Sequence, residues 1–142
     1  MGRIMAIDYG GKRTGIAVTD PLQITANGLT TVQTDELIGF LKGYFNNESV
    51  DCVVVGQPFH KNNQPSQSSS IIDDFINKFK ISFTNMPIDR EDESNTSKLA
   101  VSIMVQAGLK KKKRRDKSLL DKISATLILQ RYMERNSLWY YL

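Results

Sequence analysis

Between residues 4 and 20 the chain reads Ile-Met-Ala-Ile-Asp-Tyr-Gly-Gly-Lys-Arg-Thr-Gly-Ile-Ala-Val-Thr-Asp, two apolar runs joined by a glycine turn. That pattern admits little besides a tight β-hairpin. Ile4 and Ala6 face one side of the first strand, and Met5 and Ile7 the other. A strand apolar on both faces belongs in the middle of a sheet that is covered above and below. Asp8 then stands where the strand leaves the core. A carboxylate on a rigid strand end, beside glycines that admit a backbone or a phosphate closely, suits a divalent cation and a phosphate ester. Asp beside Gly is also an ordinary turn pair, so the rest of the chain has to decide.

The hairpin strands are expected over Gly2 to Asp8 and Thr14 to Thr19, with a third strand near Leu29 to Val32, where β-branched residues cluster. Asp35 to Asn46 reads as a helix capped by Thr34 or Asp35, with Leu37, Ile38, Leu41 and Phe45 along one face. Val50 to Val55 is a short apolar run of the kind found in a buried parallel strand. Phe59 to Ser70 is polar, reads as a mobile loop, and supplies Ser68 to Ser70 as caps for a helix carrying Ile71, Ile72, Phe75, Ile76 and Phe79. A strand near Ile81 to Ile88 leads into the acids from Asp89 to Glu93. Thr96 or Ser97 opens a helix with Leu99, Ile103 and Val105 buried, stopped by Gly108. A last helix runs from about Ser118 through Arg135, with Leu119, Leu120, Ile123, Leu127, Ile128 and Tyr132 on its apolar face. Strands alternating with helices after a hairpin indicate an α/β fold, a mixed central sheet of about five strands flanked by helices.

At 142 residues the chain has room for a single domain, 1–142. No uncharged apolar run approaches the ~20 residues that span a bilayer, and Asp8, Lys12 and Arg13 interrupt the N-terminus too early for a signal segment. The one cysteine, Cys52, lies in the Val50–Val55 run as a small buried hydrophobe and excludes a disulfide framework. A cytoplasmic protein with no membrane partner is expected. The apolar tail Leu138 to Leu142 either packs back on the domain or meets a partner, and leaves monomer and homodimer both open.

Lys110, Lys111, Lys112, Lys113, Arg114 and Arg115, with Lys117, place seven cations in eight residues. Such a run is often no more than a solvated segment. It repels itself unless a polyanion screens it, and a phosphate backbone, bound with counterion release, is the obvious one.

Three acids stand at element ends that this topology can bring together. Asp8 ends the first strand, the Asp92-Glu93 pair follows the last, and Asp121 lies in the first turn of the final helix. Clustered carboxylates without His or Cys partners select hard cations, Mg²⁺ or Mn²⁺. Two such ions ~4 Å apart can activate a water and stabilise the leaving oxygen of a phosphodiester. The sole histidine, His60, sits in the polar loop and reads as a solvated residue. There is no nucleophile elbow, phosphate loop of the Walker type or dinucleotide-binding glycine motif.

Ile7 to Leu22 resembles the opening of the YqgF/RuvX family of Holliday junction resolvase-like nucleases. Val54-Val55-Gly56-Gln57-Pro58 resembles that family's Val-Gly-Leu-Pro segment, and Asp92-Glu93-Ser94-Asn95-Thr96-Ser97 its Asp-Glu-Arg-x-Thr-Thr/Ser motif. Ala107-Gly108-Leu109, the basic run, Leu120-Asp121-Lys122-Ile123-Ser124-Ala125 and Leu129-Gln130-Arg131-Tyr132 complete the order over nearly the whole chain. The resemblance implies a ribonuclease H-like fold and a metal-dependent nuclease, with RNA as the favoured partner through 5′-end maturation of 16S ribosomal RNA. Structured DNA, through junction resolution, is the alternative. It implies Asp8, Glu93 and Asp121 as catalytic and metal-holding residues. Lys12 and Arg13, beside the first acid, and Lys110 to Arg115 are the candidates for holding the phosphate chain. Ser94 stands where the family has arginine, which could clamp a phosphate as serine cannot. Arg90 and Lys98 are candidate substitutes, and a silent nucleic-acid-binding module is a rival reading. The Asp8-Tyr9-Gly10 hairpin also resembles the phosphate hairpin of actin-like kinases, which need two such domains around a cleft.

Overall fold

The computed structural model describes residues 2–58 and 67–136. His60, most of the Phe59–Ser70 loop and the Leu138–Leu142 tail lie outside the described residues. The elements run β1 (Arg3–Asp8), β2 (Arg13–Thr19), β3 (Ala26–Gln33), a 3-10 turn (Thr34–Glu36), α1 (Leu37–Asn47), β4 (Val50–Gln57), α2 (Gln67–Ser82), β5 (Ile88–Asp92), α3 (Thr96–Gln106), a single turn α4 (Lys111–Arg114) and α5 (Lys117–Asn136). The five strands form one sheet in the order β3-β2-β1-β4-β5. β2 is antiparallel to β1 and β3, while β4 is parallel to β1 and β5 parallel to β4.

The period-two pattern of β1 divides the core as expected. Met5 and Ile7 join Ile16, Val18, Val53 and Val55 under α1 and α2, where Leu37, Leu41, Ile72, Phe75, Ile76 and Phe79 close the layer. Aromatic rings tighten it: Phe79 and Phe83 lie 4.9 Å apart, Phe45 and Phe83 5.0 Å, and Tyr9 stacks on Phe75 at 4.6 Å. On the other face Ala6, Ala17 and Val54 meet Ala125, Ile128 and Leu129 of α5. Small residues on both sides let this helix lie close to the sheet. The buried line of α5 is therefore Ser124, Ala125, Ile128 and Leu129, rotated from the expected one, while Leu119, Leu120, Ile123, Leu127 and Tyr132 are half-buried.

Several expected details are corrected. The last strand is Ile88–Asp92, not Ile81–Ile88, because residues 81–82 complete α2 and the Phe83 N–H still donates to the Phe79 carbonyl. Charged residues suit β5 because it is an edge strand. Its one buried acid, Glu91, is paired with Arg135 at 2.7 Å, and Tyr132 donates to Asp89, so α5 is stapled along β5. Neither Thr34 nor Asp35 caps α1; the Thr34 hydroxyl instead donates to the Gly10 carbonyl at 2.6 Å. α2 begins at Gln67, so Ser68 to Ser70 lie inside its first turn rather than before it. α3 buries Thr96, Ala100 and Met104, which leaves Leu99, Ile103 and Val105 exposed. The helix turns that buried side into the domain, where it lies against α5. Cys52 is half-buried beside the Tyr132 hydroxyl, and burial pushes its thiol pKa up. Among the described residues no helix is long and apolar enough to cross a membrane.

Candidate active site

β1, β4 and β5 run in parallel, so their carboxyl ends share one edge, the place where open α/β sheets bind ligands. Asp8 closes β1. Glu93 follows β5 directly, its N–H donating to the Gln57 carbonyl of β4 at 3.0 Å. The two carboxyl groups share a hydrogen bond, although one closes the first strand of the chain and the other comes from beyond its middle. Asp121 is carried by α5. That helix begins at Lys117, one residue earlier than expected, so Asp121 falls just past its first turn; Asp116 caps the helix instead, accepting from the Ser118 and Leu119 N–H groups at 3.0 and 3.2 Å. Asp121 is therefore not explained as a cap residue.

Two glycines set the spacing. Asp8 pairs in register with Gly15 of β2, and a Cβ on Gly15 would collide with the backbone carbonyl of Asp121. A Cβ on Gly56 would lie 2.5 Å from Ile128 Cδ1 and 3.0 Å from Glu93 Oε2. Bare backbone at these positions lets α5 and Glu93 close on the sheet. Sequence reasoning gave neither glycine this role, although a glycine inside a β-branched strand is itself the signal of close approach.

Burial is the chief reason that the Asp8 carboxyl is pushed up to about 6; the Glu93 hydrogen bond opposes the rise and the Asp121 charge adds to it. Glu93 goes further, to about 8, through burial first and then the charge of Asp8. The pair therefore holds on to a proton that two free carboxyls would have lost. Both values lie above the 3.8 and 4.5 of free carboxyls. Between those limits the native chain binds protons that the unfolded chain lacks, so this pair's contribution to metal-free stability is largest below pH 4 and falls as pH rises toward 8. In EDTA the urea midpoint is expected to drop between pH 5 and pH 8, with a loss of roughly 2 kcal/mol. A midpoint that rises over this interval would contradict the shared-proton arrangement.

Asp8, Glu93 and Asp121 offer the oxygen donors that suit a hard divalent cation, and among the described residues no histidine or cysteine is grouped with them. As they stand, no three His, Cys, Asp or Glu side chains among the described residues are grouped to hold a metal ion. Asp121 Oδ2 is instead occupied by Arg13 Nε at 2.8 Å. Arg13, expected to meet phosphate, therefore meets an acid of the site. Lys12 is exposed in the hairpin turn next to it. Lys110 to Lys113 and Arg115 are exposed and Arg114 half-buried, on and beside α4, which packs against both α3 and α5.

The Ser94 backbone N–H and hydroxyl both donate to Asp92 Oδ1, at 2.9 and 2.6 Å, which folds the turn that carries Glu93 into α3. Of the candidate substitutes for the arginine, Arg90 is engaged by Asp73 at 2.9 Å and by Gln57 Oε1 at 2.7 Å, and Lys98 is exposed on α3.

The chain matches the family described as "RuvX: Holliday junction resolvase" over residues 2–135. It is 57% identical to a protein of Christiangramia forsetii named "Putative pre-16S rRNA nuclease", over 94% of this chain and 98% of that one. A Flavobacterium psychrophilum protein of the same name is 53% identical, over 95% and 98%. Among solved structures, Thermus thermophilus RuvC in complex with a Holliday junction substrate superposes with a TM-score of 0.55 at 18% identity, covering 96% of this chain and 98% of that one. At that identity the likeness speaks for the ribonuclease H-like fold alone.

Proposed function

Because this chain belongs to the RuvX family, we propose that it is a metal-dependent nuclease that hydrolyses RNA phosphodiester bonds in the maturation of pre-16S ribosomal RNA, a task of the cytoplasm. The observation that supports the reading is the hydrogen bond shared by Asp8 and Glu93 at the carboxyl edge of the sheet, with the charge of Asp121 acting on Asp8 from α5. Asp8, Glu93 and Asp121 are the residues that would hold Mg²⁺ or Mn²⁺. Such an ion, when bound, supplies charge stabilisation to a phosphoryl group and acidifies water.

The chain's own contribution is orientation and charge. The β1–β2 pairing fixes Asp8 on a rigid strand end opposite Gly15, and the Gln57 carbonyl fixes the backbone of Glu93. Burial keeps water away from both, so their pull on a cation is stronger than at the surface. A cation held there would favour the ionised form of both carboxyls. Lys12 and the Lys110–Arg115 run are the candidates for the counter-charge that flanking phosphates need.

The test is a cleavage panel of single-stranded RNA, single-stranded DNA and a four-way DNA junction, each with Mn²⁺, Mg²⁺ or EDTA. Metal-dependent cutting of RNA supports the proposal. Preferential cutting of the junction supports resolution instead, the activity in the family's description, and would require a symmetric homodimer with two facing sites. Binding without cleavage of any substrate would identify a silent binding module.

The basic run makes a separate prediction. Lys111→Gln, Lys112→Gln and Lys113→Gln together are expected to flatten the slope of log K against log[salt] for single-stranded RNA by about 2. Metal affinity should hardly move. Filter binding across a salt series measures it, and an unchanged slope removes α4 from the nucleic-acid surface.

A further inference from the structure

Arg13 is held in the β2–β3 ladder opposite Gln33, and its backbone has little freedom. Its side chain nevertheless reaches α5, where Nε donates to Asp121 Oδ2 at 2.8 Å. Both side chains are partly shielded, 34% and 21% exposed. The pair is therefore less screened than an ordinary surface ion pair. A guanidinium and a divalent cation want the same lone pairs of the same carboxylate. With Arg13 on Asp121, the guanidinium stands in for part of the charge that a metal would bring.

We propose that Arg13 is a counter-ion latch: it holds Asp121 out of the metal set, and a cation completes its coordination only as Asp121 leaves the guanidinium. This makes Arg13 a positioning residue acting through Asp121, rather than only a phosphate contact, and it rests on the metal-dependent reading above. The neighbouring geometry favours an exchange of partners over a movement of the chain. Gly15 keeps the Asp121 backbone pressed against β2, so the carboxylate can change partner by rotating its side chain.

The probe is Mn²⁺ alone, titrated without nucleic acid and followed by electron paramagnetic resonance of the free ion. Arg13→Gln is expected to tighten Mn²⁺ binding about five- to tenfold, because the competitor is gone. Asp121→Asn should weaken it. In Arg13→Gln/Asp121→Asn the gain should vanish, leaving affinity within about twofold of Asp121→Asn, since a latch has no effect once its carboxylate is removed. Thermal unfolding in EDTA shows which variants are folded, and Arg13→Lys, which keeps the charge but loses the Nε donor, provides a second route with a smaller expected gain. Unchanged or weaker Mn²⁺ binding in folded Arg13→Gln overturns the latch. So does a gain of the same size in the Asp121→Asn background, which would reduce Arg13 to general repulsion of cations. Failure of the latch alone leaves Mn²⁺ binding that Asp8→Asn destroys; absence of saturable Mn²⁺ binding in the unmodified protein overturns the metal-dependent reading with it.

Discussion

Asp8→Asn is expected to lower metal-dependent cleavage by about a thousandfold or more while making the metal-free protein more stable. The two effects have one cause. Asp8 is a buried carboxylate beside Glu93 and within the field of Asp121. A site that crowds acids in this way disfavours their charged forms until a cation arrives. Asparagine keeps the shape and donates a hydrogen bond to the Glu93 carboxylate, so the strand end stays in place. It also removes one charge and one ligand from the oxygen set. Losing a preorganised electrostatic contact of this kind typically costs a factor of 10²–10³, and losing part of a metal set costs more. Two measurements check the prediction together: the cleavage rate in Mn²⁺, and the melting temperature in EDTA at pH 8. A variant that cuts normally would remove Asp8 from the chemistry. One that cuts poorly and also melts earlier would make Asp8 a residue of the fold.

Gly15→Ala is expected to be the most damaging single methyl group that this chain can receive near the site, at about 3 kcal/mol. The added carbon would meet the Asp121 carbonyl, which is backbone in the second turn of α5 and cannot swing aside as a side chain would. Either β2 leaves its register with Asp8 or α5 rises from the sheet. Both responses change the distance between Asp121 and Asp8, so cleavage and stability should fall together. Addition of a cation should recover little of either. Urea unfolding alongside the cleavage rate tests this, and a folded, fully active Gly15→Ala would show that α5 does not depend on contact at this point. Gly11, by contrast, has no neighbour for a Cβ within 4 Å.

The contrast between these two glycines marks what was legible in the sequence. The hairpin, the buried β4 run and the amphipathic α1 and α2 all carry periodic apolar signals, and their placement followed from those signals. Asp8 and Asp121 were legible as acids at element ends. Glu93 was separated from Asp92 only by its family resemblance, because adjacent acids after a strand look alike until a fold aims one inward. β5 was misplaced for a related reason. Its Asp89, Arg90, Glu91 and Asp92 show no apolar alternation, and what makes them a strand is pairing with β4 and the Arg135 contact, both long-range. α3 misled in the opposite sense: Leu99, Ile103 and Val105 drew attention while Thr96, Ala100 and Met104 were the buried ones. Pairings such as Arg13 with Asp121, which are 108 residues apart, leave no mark in local sequence at all.

The two faces of the sheet are unequally upholstered. Between the sheet and its α1–α2 layer lie Phe75, Phe79 and the large aliphatics; under α5 the strands offer Ala6, Ala17 and Val54. Each face buries apolar area in proportion to those side chains, so the first layer supplies more of the apolar burial. The α5 layer is held differently, by close contact along β1, β2 and β3 and by the polar staples Glu91 to Arg135 and Asp89 to Tyr132. Asp8 and Glu93 are borne by the strand ladder and Asp121 by that docked helix, so the acidic set depends on two kinds of cohesion at once.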